Sequence, residues 1–256
     1  MKLNGLDLFS GIGGISLALK PWVNTVAYCE IDPYCQAVLL ERMLSNDLDT
    51  APIWDDVTTL NRALLDTEID IILGGFPCQD ISIAGQRAGI KSNTRSGLFF
   101  EIMRLVDEFQ PTFIFLENVP NITSDGLDVV LREIAQAGYD ARWLCVSAAE
   151  VGSPHKRDRW WLLAHSRSKG LEGFRGTFRN GSPFPTPAPN GLDARWPVGC
   201  GRPQEEWEPR RILESRMGRM SHGISHRVDR LQALGNSVVP QAAQRAFIEL
   251  IKEPFK

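Results

Sequence analysis

The sequence predicts an α/β protein built on a doubly wound, mostly parallel sheet. Short apolar runs alternate with amphipathic stretches over the first 165 residues, at the lengths a strand–helix alternation needs. The run Asp70-Ile71-Ile72-Leu73 is almost wholly apolar, as a strand covered on both faces should be. A glycine-rich turn follows the first apolar run and leads directly into a helix-like segment.

In chain order, the strands are expected at Leu6–Phe9, Thr25–Cys29, Ile69–Leu73, Thr112–Leu116, Ala141–Ser147 and Trp160–Ala164. The helices between them are expected near 14–20, 33–44, 59–66, 97–109 and 126–137. From about residue 166 the texture changes to Gly, Pro, Arg and Ser, with Trp196 and Trp207 among charges. Residues 166–226 therefore read as a small, loop-rich insertion. The segment VVPQAAQRAFIELIKE closes the main domain as a helix with Pro240 in its first turn. The domains are thus 1–165 plus 227–256, interrupted by 166–226.

With 43% hydrophobic residues the chain can bury a sizeable core. It contains no run of 18 apolar residues, and its first glycine turn comes too early for a signal peptide, so no membrane contact and a cytoplasmic address are expected. Five cysteines, odd in number and without a C-x-x-C pair, argue against disulfides and against a zinc site, so no metal is expected. Net charge is −3, but it is unevenly spread. Residues 151–231 hold 15 Lys/Arg against 8 Asp/Glu, a net of +7, while the remainder holds 13 against 23, a net of −10. A basic segment beside an acidic body suits one face meeting phosphate.

The motifs sharpen this. In DLFSGIGGISLAL the glycines let backbone approach a ligand beside a helix N-terminus, a weak signal alone; no G-K-[ST] follows, which disfavours a P-loop. Glu30 closes VAYCE after the second strand and Asp56 sits in WDDV before the next helix, places where an acid can take ribose hydroxyls and an adenine amino group. GGFPCQDIS, residues 74–82, puts Cys78 in a Gly/Pro loop at the carboxyl end of a parallel strand, a poor place for an inert thiol. Cys29, Cys35 and Cys145 read as buried structural thiols. FIFLENVPN brings Glu117 and Asn118 to the adjacent strand end, and SPHKRDRWWLLA sets Arg157 and Arg159 on one side of an extended chain.

In this order, DLFSGIGG, GGFPCQDIS, ENV, the arginines of HKRDR and LQALGNSVVPQAA resemble the ordered motifs of the cytosine-C5 DNA methyltransferases, over 5–165 and 227–250, about 70% of the chain. The resemblance implies a Rossmann-like methyltransferase sheet with 166–226 as target-recognition region. It implies methyl transfer from S-adenosylmethionine, leaving S-adenosylhomocysteine, to C5 of a flipped-out cytosine in a specific site of double-stranded DNA. Cys78 would add to C6, Glu117 would contact N3, Arg159 would hold the base near O2, and Arg157 would support the site and the thiol. The cofactor positions fall on Phe9, Gly11, Ile12, Gly13, Glu30, Ile31, Asp56, Val57, Pro77, Leu98, Asn236 and Val238. A bacterial or phage modification enzyme is implied, with a restriction endonuclease as possible counterpart, acting as a monomer or, alternatively, a dimer. His155 stands where the family usually has Gln, and Asp55 where Gly is common. A tRNA methyltransferase of the family would carry a Cys-Phe-Thr tripeptide, which is absent; a silent relative would lack the cysteine, the ENV glutamate or the glycines, which are present. Arg175 and Arg179 are expected to meet DNA phosphates.

Overall fold

The computed structural model describes residues 2–77, 97–153, 156–169 and 233–252. Its sheet comprises β1 (Leu3–Leu8), β2 (Val23–Cys29), β3 (Ile53–Trp54), β4 (Ile71–Gly75), β5 (Phe113–Asn118), β6 (Tyr139–Ser147) and β7 (Asp158–Ser166). The helices are α1 (Gly14–Leu19), α2 (Pro33–Leu44), α3 (Gly97–Phe109), α4 (Leu127–Gln136) and α5 (Pro240–Lys252). The strand order is β3-β2-β1-β4-β5-β7-β6. The first five strands in that order run parallel, and β7 is antiparallel to both β5 and β6. The doubly wound α/β reading holds.

Alternation along the strands feeds two cores. Leu6, Leu8, Ile72, Ile114, Leu116 and Leu162 face one side, where α3 and α4 bring Phe99, Ile102, Leu105, Val106, Val129 and Val130. Ile71, Leu73, Phe113, Phe115 and Leu163 face the other, against Ile15 and Leu19 of α1 and Ala243, Phe247 and Leu250 of α5. The apolar positions of α3 follow one helical face, which is why its bounds are those the periodicity predicts. Likewise α5 opens on Pro240 and packs beside α1, β6 and β7.

Three expectations need correction. The stretch 59–66 forms only a 3₁₀ turn, Arg62–Leu64. Its polar side chains capture the backbone instead: Thr59 Oγ1 donates to Asp56 O, and Asn61 Oδ1 accepts from Ala63 N. Such local bonds compete with helix. The short β3 went unread, since two residues carry no periodicity. Cys145 is exposed rather than buried, because β6 is an edge strand and its side chain faces solvent, whereas Cys29 and Cys35 are buried. No helix among the described residues is long and apolar enough to cross a membrane.

Candidate active site

Two groups of side chains gather at the carboxyl ends of β1, β2, β4 and β5, the edge where open α/β sheets bind ligands. The first surrounds the turn after β1. Gly11 and Gly13 have φ of 53° and 79°, and Phe9 adopts φ of 52° without being glycine. A strained non-glycine residue at this place is the kind of cost that binding sites carry. The turn is fastened on all sides: Ser10 N donates to Cys29 O at 3.1 Å, Gly13 N to Ser10 O at 2.8 Å, and Arg42 Nη1 to Ile12 O at 2.6 Å.

Glu30 spans the gap between this turn and α2. One carboxylate oxygen accepts from Gly11 N at 2.7 Å and the other from Asp32 N at 2.8 Å. Its own carbonyl accepts from Gln36 Nε2 at 2.6 Å. A carboxylate has about four acceptor positions, so two neighbours leave capacity for the hydroxyls of a sugar. The remaining features fit an adenosine-bearing group. Ile31 is 74% exposed beside Glu30, an apolar surface without cover among the described residues. Among the described residues a Cβ built at Gly11 would meet nothing within 4 Å, so they leave the space against the turn open. Asp56 spends Oδ1 on Thr58 N and Oγ1, at 2.9 and 2.7 Å, and these bonds hold its carboxyl below the usual range. Phe9 and Leu98 pack against the core cluster to which the buried Val57 belongs, and Ile12 shares a small cluster with Ala233 at the start of the turn 233–236 that contains Asn236. Among the described residues no cluster of acids, Cys and His has the makings of a metal site.

The second group lies one strand over. Gly75 of β4 is in register with Glu117 of β5, and the latter with Trp161 of β7. Glu117 is 8% exposed, and its Oε1 receives Arg159 Nε at 2.7 Å. Burial pushes the Glu117 carboxyl up to about 7, against the opposing pull of Arg159 and then Arg157. Asn118 Nδ2 donates to Phe76 O at 2.9 Å, fixing the backbone just before the exposed Pro77. That role was not foreseen, although an amide directly after the glutamate was its signal. Arg157 points elsewhere: its Nη2 donates to Gly235 O at 2.7 Å and Ser237 O at 2.5 Å. Val238, next along, touches Gly14, where a Cβ would come within 2.7 Å of Val238 Cγ2.

The structure thus brings Glu117 and Arg159 into direct contact, joins Glu30 to Gly11, and ties Arg157 to both neighbours of Asn236. Cys78, His155, Arg175, Arg179 and the insertion beyond Lys169 lie outside the described residues. A residue the motifs did not flag is Asp7, buried under the turn. Its Oδ2 accepts from Ser16 Oγ at 2.6 Å, which in turn accepts from Thr25 Oγ1 at 2.9 Å. An acid inside an otherwise apolar strand was the available signal.

An open sheet with β7 inserted antiparallel between β5 and β6, a glycine turn with its acid on one side and a buried carboxyl–guanidinium pair on the other, defines a protein of the Rossmann-like methyltransferase class. The chain belongs to the C-5 cytosine-specific DNA methylase family, whose model matches residues 3–197. Among its relatives are the type II methyltransferase M.CviJI of Paramecium bursaria Chlorella virus IL3A, 36% identical over 64% of this chain and 43% of that protein. Another is M.HhaI of Haemophilus parahaemolyticus, 32% identical over 68% of this chain and 52% of that one. The chain therefore spans about half the length of the curated relatives it matches. Of solved structures, a candidate DNA modification methyltransferase of an Escherichia coli prophage superposes with a TM-score of 0.52 at 28% identity, over 67% of this chain and 50% of that one. Spodoptera frugiperda DNMT2 shares the fold, with a TM-score of 0.52 at 19% identity over 64% and 50%.

Proposed function

We propose that the protein methylates C5 of cytosine in double-stranded DNA with S-adenosylmethionine as donor, through a covalent bond from Cys78 to C6. The observation that carries this reading is the buried Glu117–Arg159 pair, in register with the strand that leads to Cys78. C5 of cytosine is unreactive toward an electrophile until a nucleophile adds at C6. Addition of the Cys78 thiolate forms the S–C6 bond and sends the ring's electron pair toward N3. A carboxyl held near neutrality can keep a proton there, and Arg159 offers charge toward O2. C5 then carries enamine character. When bound, the cofactor supplies the electrophilic methyl group as a sulfonium. Water then takes the C5 proton, that electron pair re-forms C5=C6 as the C6–S bond breaks, N3 returns its proton to Glu117, and the Cys78 thiolate is restored. The ring must leave the duplex for this, at a cost of a few kcal/mol.

On this reading Glu30 holds the cofactor's ribose, Asp56 its adenine amino group, Phe9 and Ile31 its ring faces, and Gly11, Ile12, Gly13, Val57, Pro77, Leu98, Asn236 and Val238 the rest of its surroundings. The basic 166–226 segment reads sequence, and a restriction endonuclease of the same specificity is the natural counterpart. Cys78→Ser tests the proposal. It should abolish methyl transfer to unmethylated plasmid DNA, scored by bisulfite sequencing, while S-adenosylhomocysteine still binds. Turnover by the variant within tenfold of the parent would refute covalent catalysis, and methylation of tRNA in place of DNA would refute the substrate.

A further inference from the structure

We infer that Arg157 is a positioning residue which clamps the returning segment 235–238 onto the end of β7 and so couples the cofactor site to the base site. The reading rests on the function proposed above. Arg157 and Arg159 leave the same extended strand end on the same side, yet they hold different partners. Arg159 grips Glu117. Arg157 grips two backbone carbonyls, Gly235 O and Ser237 O, 78 and 80 residues further along the chain.

Those carbonyls close the short helical turn 233–236, whose end leaves acceptors that need donors. A cation at the carboxyl end of such a turn is favourable, and one guanidinium nitrogen with two hydrogens serves both oxygens. The backbone of Arg157 is itself anchored, its carbonyl accepting from Ala148 N at 3.1 Å. Arg157 therefore spends its charge on the segment that carries Asn236 and Val238. On its other side Val238 rests against Gly14, the first residue of α1 after the glycine turn. The segment is held between two fixed points, the base-side strand and the cofactor-side helix. Anything that seats 235–238 firmly also seats the end of β7 from which Arg159 reaches Glu117. Coupling of this kind is reciprocal in binding free energy.

The experiment uses the full chain and the variants Arg157→Ala, Arg157→Lys and Gly14→Ala. In ligand-free protein, hydrogen exchange of the Ser237 amide, which donates to Ala233 O, should rise tenfold or more in Arg157→Ala and be partly restored in Arg157→Lys. Calorimetric titration with S-adenosylhomocysteine should show affinity weakened about ten- to a hundredfold in Arg157→Ala, the scale of one or two charge-assisted hydrogen bonds. Arg157→Lys should fall between, and Gly14→Ala, which pushes Val238 from the opposite side, should weaken it too. On DNA, KM for the methyl donor should rise by a larger factor than kcat falls in each variant. Unchanged exchange and unchanged cofactor affinity with a collapsed kcat would overturn the clamp and return Arg157 to the thiol or the base. If the parent binds no S-adenosylhomocysteine, the proposed function fails, while the exchange data still decide whether the clamp exists.

Discussion

Glycine at position 75 has a specific reason. A Cβ there would lie 2.9 Å from Glu117 Oε2, closer than real Cβ atoms come. The carboxyl is wedged between β4 backbone and the Arg159 guanidinium, and that confinement, by excluding water, sets its affinity for a proton. At about 7 the group exchanges its proton near neutral pH, and on the proposed function this lets it hold a proton opposite N3 of a cytosine and give it up again. Glu117→Gln should lower kcat by about 10²–10⁴-fold, the range of a lost general acid, and should erase the limb of the pH–rate profile near 7. Gly75→Ala leaves the carboxyl in place chemically but displaces it. It should cut kcat by about tenfold or more with S-adenosylhomocysteine affinity preserved, since a shift of about 1 Å can cost on the order of 10²-fold. Wild-type kcat in Gly75→Ala would show that the wedge does not position the acid.

At the scale of elements, α2 shows how local rules build the side proposed to hold the cofactor. Asp32 caps it, its Oδ1 accepting from Tyr34 N and Cys35 N at 2.8 and 3.0 Å, and Pro33 occupies the first turn. Because Asp32 N also binds Glu30, the cap and the acid are one unit. Asp32→Ala should cost about 1 kcal/mol in urea unfolding and weaken cofactor binding severalfold in calorimetry. Loss of stability without loss of affinity would separate the two. Of this unit the sequence reading held only Glu30 and the helix, since both signals are local, while the cap at Asp32 went unread. The bounds of α2 and α3 were legible for the same reason, their apolar faces being local. Partners set by topology were not. Nothing local places β7 between β5 and β6, and no spacing indicates that Arg157 meets carbonyls at 235 and 237. The resemblance set Glu117 and Arg159 around one ring, and their direct pairing, which it did not suggest, comes from the sheet register. Where local polar side chains outbid a weak apolar pattern, as at Thr59 and Asn61, periodicity misled.

For the whole molecule, the site shapes how stability varies with pH. Asp7 lies buried beneath the glycine turn and Glu117 at the base side, and burial pushes both carboxyls up to about 7 from 3.8 and 4.5. For Asp7 burial outweighs the hydrogen bond from Ser16, and Oδ1 has no partner among the described residues. A carboxyl with a raised folded pKa binds its proton more tightly folded than unfolded. Between about pH 4 and 7 the folded state thus holds protons that the unfolded chain has released. These two groups therefore favour folding fully below about pH 4, and their contribution is lost as pH rises through 7. The urea midpoint should accordingly fall from pH 5 to pH 8, opposite to the trend that ion-paired surface carboxylates produce. Asp7→Asn keeps an oxygen for Ser16 but cannot ionise, so it should flatten this slope, and Glu117→Gln should flatten it further. If the slope in both single variants equals that of the parent, neither carboxyl is the source. If only Asp7→Asn changes it, the acid beneath the cofactor turn dominates and Glu117 is already ionised in the folded protein. That outcome would also require another proton donor for N3, so an equilibrium unfolding series reports on the catalytic assignment without any turnover being measured.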